Sequence, residues 1–239
     1  MRNYGIKTMK IVAVAGSKDT GKTTLVTRII KELVKRGFKV GTLKHAHHTF
    51  DRTDSDTGKH REAGAELVAG VGFETFFTTK TMDLERVLNM MKSLEKLDFV
   101  VLEGFKNYPY AKISTSPNLN DEFTIKTVDA KKLADEDVEA LVDLIDGRSF
   151  GLVQKLNCKK CGFKNCSEFV QAKINGNAVG IDCKTDSDEV LLRINDKAIP
   201  LNPFVRDFVR DTVEGMVKSL KTSEFGVEDF KKIELLIRK

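Results

Sequence analysis

The chain has 239 residues, 41% of them hydrophobic, enough for one large domain or one medium domain with additions. Lys and Arg number 40 against 35 Asp and Glu; the resulting +5 is spread through interspersed signs, suits anionic small ligands, and lacks the aromatic-plus-basic interleaving of single-strand nucleic-acid binders. No apolar run is long enough to span a bilayer and no signal-peptide pattern opens the chain, so a cytoplasmic protein is expected, with residues 1–8 as a loose leader.

Ile11-Val12-Ala13-Val14-Ala15 reads as a buried parallel strand, and Leu25 to Arg36 as the helix that follows it. Between them lies Gly16-Ser17-Lys18-Asp19-Thr20-Gly21-Lys22-Thr23, then Thr24. This is the G-x-x-x-x-G-K-T pattern of a phosphate-binding loop, in the strand–loop–helix context it requires. Glycines at 16 and 21 let the backbone turn tightly and approach phosphate oxygens. The loop ends at a helix N-terminus, whose free N–H groups favour anions. Lys22 is expected to reach the β- and γ-phosphates, and the Thr23 hydroxyl to meet Mg²⁺.

Gly37 supplies a helix stop, and Phe38 to Leu43 reads as a second strand. All four histidines, His45, His47, His48 and His60, follow it in one segment. A strand C-terminus is where parallel α/β sheets place ligands. His45, His47, His60 and Arg61 are therefore candidates to touch anions, and Asp51 and Asp56 to hold Mg²⁺ directly or through water. A transition-metal site and a solvated polar loop are the competing readings. Residues 58–65 read as a turn into a helical start, and Glu66 to Val71 as a strand. Asp83 to Leu97 has Leu84, Val87, Leu88, Met91 and Leu94 on one helical face, a core pattern.

Asp98 to Gly104 is an apolar strand that closes on Glu103, the position of a Walker B carboxylate. A carboxylate there orients the Mg²⁺ hydration shell against the loop threonine. Asp98, at the other end of the strand, lies too far away to share that role. Tyr108 to Ile113 reads as a turn into a strand, and Glu122 to Val128 as another. Asp135 to Ile145 reads as a helix with Val138, Leu141, Val142 and Ile145 inward. A boundary is expected near Phe150.

Four cysteines follow as C-x2-C-x4-C-x16-C: Cys158, Cys161, Cys166 and Cys183. In a cytosolic chain such clustering argues for metal rather than disulfides. Four thiolates can close a [4Fe–4S] cluster or a tetrahedral Zn²⁺ site, with unligated thiols as the bland alternative. Cys166 to Ile174 reads as a helix. Beyond it come a hairpin turning at Asn195-Asp196, a helix opened by Asn202-Pro203, and an edge strand over Lys232 to Arg238. The helix has Phe204, Phe208, Val209, Val213, Met216, Val217 and Leu220 as its apolar face.

The phosphate loop, Lys44-His45 with His47-His48, the run His60-Arg61-Glu62-Ala63-Gly64-Ala65 and the strand Asp98 to Lys106 together resemble the molybdopterin-guanine dinucleotide biosynthesis protein B family. The resemblance covers roughly residues 9–148. It implies a homodimeric GTP-binding protein with weak GTPase activity that assists the guanylyltransferase acting on molybdopterin, so that enzyme and a pterin cofactor are the implied partners. By position it assigns Gly16, Gly21, Lys22, Thr23 and Thr24 to phosphates and Mg²⁺, and Asp56 and Glu103 to the metal end. His45, His47, His60 and Arg61 would line the adjacent cleft. No N-K-x-D guanine motif is present, so guanine over adenine rests on the resemblance and ATP stays open. The cysteine segment is similar to short four-cysteine [4Fe–4S] domains fused to redox and corrinoid proteins.

The expected fold is α/β: a P-loop domain with a mostly parallel sheet over residues 1–150, a cysteine module over 151–186, and a small α+β unit over 187–239. Besides the adapter reading, two others stand. One is a nucleotide-modulated metal- or redox-sensing module without turnover; the other is a small-molecule kinase or dethiobiotin-synthetase-like ligase.

Overall fold

A computed structural model describes residues 8–186 and 189–238; residues 1–7 of the expected leader and positions 187, 188 and 239 of the expected C-terminal unit lie outside the described residues. Five strands form one parallel sheet in the order β2-β5-β1-β6-β7. They are β1 (Lys10–Ala15), β2 (Val40–Lys44), β5 (Phe99–Glu103), β6 (Ala111–Ser114) and β7 (Thr124–Thr127). Ile11 to Ala15 are all buried, as an uninterrupted apolar run in the middle of a doubly covered sheet should be. Val14 stands opposite Glu103, and Ala15 opposite Ser114. The C-terminal ends of three strands are thereby level, at the edge where such sheets take ligands.

The pleat splits the core into two layers. Val12 and Val14 pack with Leu25, Ile29 and Leu33 of α1 (Lys22–Lys35) and Leu141 and Ile145 of α4 (Asp135–Arg148). Ile11 and Ala13 point the other way, toward Leu84 and Leu88 of α3 (Leu84–Leu94). The same layer holds Phe169, Val170 and Ile174 of α5 (Cys166–Ile174), with Cys183. The cysteine segment thus supplies the second helix of the sheet's far layer. Its approach is fixed by backbone pairing, because the Ile11 N–H donates to the Phe150 carbonyl at 2.9 Å. Its exit is fixed by a buried ion pair, Lys92 to Asp186 at 2.5 Å, seated against Gly151. A Cβ at Gly151 would lie 1.7 Å from an Asp186 oxygen, so only glycine fits.

Several expectations are corrected. The helix expected from 58 begins earlier, as α2 (Asp56–Glu62), because the Ser55 side chain caps it by accepting from the Gly58 N–H. β3 (Leu67–Val71) pairs antiparallel with β4 (Thr75–Thr79), a strand the reading passed over as a set of phenylalanines. That hairpin is apart from the main sheet and exposes Val71, Phe73 and Phe77. α3 ends at Leu94, which is exposed, while Asn89 is buried and donates to the Glu85 carbonyl at 2.9 Å. Near the C-terminus, β8 (Leu192–Ile194) and β9 (Lys197–Ile199) turn through Asn195 and Asp196, both left-handed, as a two-residue hairpin turn demands. α6 (Pro203–Lys218) is capped by Asn202, but Phe204, Phe208 and Met216 of its apolar face are exposed. The edge strand expected over Lys232 to Arg238 does not form. Alternation gives that tail strand propensity, but it pairs with no sheet edge among the described residues, and Leu235, Leu236 and Ile237 stay exposed.

Candidate functional site

The loop from Gly16 to Gly21 leaves the end of β1 and feeds α1. Asp19 at φ 60° and Gly21 at φ 81° make its reversals, and the glycine stands at the helix N-cap. No side chain caps α1, and its first turn carries no acid. The orphan N–H groups there are left for an anion to satisfy. The turn after β6 braces the loop. The Ser17 N–H donates to Ser116 Oγ at 3.0 Å, and the hydroxyls of Thr20 and Thr115 lie 2.6 Å apart. Thr20 also donates to the Ser17 carbonyl at 2.9 Å. Gly16 sits so close to this brace that a Cβ would fall 1.9 Å from Thr115 Oγ1.

Lys22 donates its ammonium to the Ser17 carbonyl. Thr23 donates its hydroxyl to Glu103 Oε1 at 2.7 Å, and the Lys44 ammonium lies 3.2 Å from the same oxygen. Glu103 arrives because β5 runs parallel to β1 with Glu103 level with Val14. Lys18, Asp19, Gly21, Lys22, Thr23 and Thr24 line a cavity of about 410 Å³ together with Glu103 and Lys131. A cavity edged by helix N-terminal N–H groups, lysines and the carboxylates of Asp19 and Glu103 offers a polyphosphate its donors and a divalent cation its acceptors. Gly16, Ser17 and Thr20, which the sequence puts among the phosphate-binding residues, do not line this cavity; they form the stretch of the loop braced by Thr115 and Ser116. Lys131, which lines the cavity, and Lys44, which pairs with Glu103 beside it, are site residues that sequence reasoning missed. Lys131 carries no motif, whereas Lys44, ending the second strand beside the histidines, could have been found from its position.

The histidine segment spreads out. His45 lies beside the carboxylate: its N–H donates to the Glu103 carbonyl at 3.0 Å, and its ring meets His47 edge-on at 4.7 Å and Phe105 at 5.4 Å. Asp56 stands at the first turn of α2, 92% exposed and 3.3 Å from Lys59, outside the cavity lining. His60 is exposed on the same helix, and Arg61 lies 3.8 Å from Glu62. Asp51 accepts from the Ser55 hydroxyl at 2.8 Å, stabilising the turn into α2.

All four cysteines are free thiols. Cys166 opens α5 and is joined to Asn157 by two hydrogen bonds. Cys183 is buried beside Thr185, and burial pushes its thiol pKa up. Among the described residues no three His, Cys, Asp or Glu side chains are gathered as one ligand set. The donors fit a thiophilic metal in type and number, and the loop that carries three of them turns through left-handed Asn157, Lys159 and Gly162.

Residues 11–134 match the family model for molybdopterin guanine dinucleotide synthesis protein B. A second model, whose description proposes an Fe–S cluster, matches residues 154–185. A Methanocaldococcus jannaschii protein provisionally named a molybdopterin-guanine dinucleotide biosynthesis adapter protein is 32% identical over 241 residues, covering 96% of this chain and 97% of that one. The molybdopterin-guanine dinucleotide biosynthesis adapter protein of Escherichia coli K12 is 36% identical over 115 residues, 45% of this chain and 66% of its own. The crystal structure of Bacillus subtilis MobB aligns with a TM-score of 0.41 at 30% identity, over 50% of this chain and 77% of that one.

Proposed function

Because the chain belongs to the molybdopterin guanine dinucleotide synthesis protein B family, we propose that it is an adapter of that biosynthesis which binds GTP with Mg²⁺ at residues 16–24. The contact that carries the reading is the Thr23 hydroxyl on the Glu103 carboxylate at 2.7 Å, in the mouth of the loop cavity. That pair is where a divalent cation beside a β/γ-phosphate would be held. Mg²⁺ supplies charge neutralisation there; Lys22 supplies the cation for the phosphates and α1 the N–H donors. Hydrolysis, where it occurs, is slow. Two carboxylates line the cavity, Asp19 and Glu103, and the Lys44 ammonium already pairs with Glu103. The molybdopterin guanylyltransferase and its pterin substrate are the proposed partners, in the cytoplasm.

The test is a titration with fluorescent GTP and ATP analogues, with and without Mg²⁺. GTP is expected to bind more tightly than ATP, and Mg²⁺ to strengthen it. Glu103→Gln keeps the Thr23 hydrogen bond but removes the charge, and is expected to cut the Mg²⁺ enhancement about tenfold, the size of one charge-assisted contact. Failure of both nucleotides to bind the wild-type chain would overturn the reading.

Cys158, Cys161, Cys166 and Cys183 are proposed to hold a [4Fe–4S] cluster. The support is four cysteines, none in a disulfide, within one segment that matches the Fe–S family model. Anaerobic purification is expected to give a broad band near ~400 nm and about four irons per chain. One zinc per chain and no colour would replace this assignment with a structural zinc site. A homodimer is proposed through the β3–β4 hairpin, which exposes Val71, Phe73 and Phe77 together in one apolar patch. Light scattering should show the dimer, and Phe73→Ser with Phe77→Ser should dissociate it; a monomeric wild type rejects the interface.

A further inference from the structure

A second cavity, about 860 Å³, opens on the α3–α5 side of the sheet, away from the phosphate loop. Its size is that of a small-molecule pocket. Much of its lining lies beyond the stretch that matches the adapter family: Phe150 to Lys155, the first turns of α5, and the β8–β9 hairpin. The cavity therefore exists because the cysteine segment docks against the sheet.

Its floor is aromatic and aliphatic. Tyr110, Phe150 and Leu152 are buried there, flanked by Phe123 and Val170. The Tyr110 phenol is held protonated, since burial and the Glu85 and Asp186 carboxylates raise its pKa. The polar groups fall into three sets. The Gln154 side-chain oxygen is buried and accepts no hydrogen bond from the described residues. Glu85 and Glu122 line the α3 and β7 side, and Lys155 and Lys197 come from the linker and the hairpin. None of these four charges has an ion-pair partner among the described residues. By contrast, Arg86 and Asp196 pair at 3.1 Å, tying the hairpin to α3 across the cavity.

We propose that this cavity is a second ligand site, for a planar nitrogen heterocycle that carries ring N–H donors and an acidic substituent. A flat ring suits the aromatic floor. Ring N–H groups would satisfy Gln154 and a carboxylate, and an acidic substituent would meet Lys197. A purely apolar ligand would leave the buried amide oxygen and the four charges unpaired, and a bare inorganic anion would leave the aromatic floor unused. Cys166 forms part of the wall, so the ligand would lie beside the metal-binding segment. The site stands independently of nucleotide binding and rests on the adapter reading only in the choice of probe.

The probe is pterin-6-carboxylate, which is planar, bears ring N–H donors, carries one carboxylate and is fluorescent. It is titrated into the purified full chain with and without saturating Mg²⁺·GDP. Wild type is expected to bind it saturably, with an affinity unchanged by GDP and by Lys22→Ala. Ala198→Trp, which fills the cavity from β9, and Lys197→Ala, on the exposed hairpin, are each expected to weaken it at least tenfold. Both variants should keep wild-type affinity for a fluorescent GTP analogue read in the same samples. Should Ala198→Trp fail to fold, Lys197→Ala alone decides. Absence of saturable binding, displacement by GDP, or wild-type affinity in the folded cavity variants would overturn the proposal. Failure of the wild-type chain to bind the GTP analogue, with pterin binding intact, would instead count against the nucleotide reading.

Discussion

Lys22→Ala is expected to lower GTP affinity by two orders of magnitude or more and to leave the melting temperature nearly unchanged. The asymmetry follows from where the side chain is anchored. Lys22 stands at the first position of α1, outside the buried core, and its contact in the structure is the Ser17 carbonyl. Removing that contact changes little in folding. In the bound state the same ammonium would bridge phosphate oxygens. A hydrogen bond to a charged group is worth about 1.5–3 kcal/mol, and two such contacts correspond to a hundredfold or more in affinity. Equilibrium titration with a fluorescent GTP analogue reads the effect, and wild-type affinity in the variant would remove the phosphate role. Lys22→Arg should fall in between, since a planar guanidinium keeps the charge but not the point geometry.

Phe169→Ala is expected to destabilise the whole described fold by about 3–5 kcal/mol, the usual loss for a fully buried aromatic. Phe169 lies on α5, in the cysteine segment, yet it is 1% exposed and shares a core with Met9 and Ile11 of the sheet. Phe163 meets its ring edge-on at 5.7 Å, so that contact is lost as well. Urea unfolding followed by circular dichroism and by release of bound nucleotide should show one transition, shifted together in both signals. A variant that loses only the cysteine segment and keeps nucleotide binding at wild-type urea concentrations would show that the two parts fold separately.

The elements that read well from sequence are those whose cause is local. The phosphate loop is a contiguous pattern, and Glu103 follows from an apolar strand ending in an acid; the structure sets it on Thr23. The bounds of α5 are legible as well, because Asn165 caps it through the Glu168 N–H. What escaped depends on distant partners. Ser116 and Thr115, which brace the loop, come from a turn about a hundred residues away. Lys131 enters the cavity from the loop after β7. The acids and histidines of the 45–61 segment share composition but not position. His45 is held against Glu103 by strand pairing, whereas the Ser55 cap turns Asp56 out to solvent. Alternation in the C-terminal tail announces a strand, but a strand also needs an edge to join.

The far layer of the sheet has a consequence for how the chain is made. Emerging from the ribosome, the protein completes its last sheet strand at Thr127, but α5, which covers Ile11 and Ala13 along with α3, ends at Ile174. At roughly 5–20 residues per second the interval lasts a few seconds, during which an assembled sheet presents apolar surface to solvent. Nascent chains halted near residue 150 are therefore expected to be bound by chaperones, and chains halted well past Cys183 are expected to escape them. The cysteine segment acts in this sense as the closing step of translation-coupled folding, and a cell that makes only the first part makes an aggregation-prone fragment.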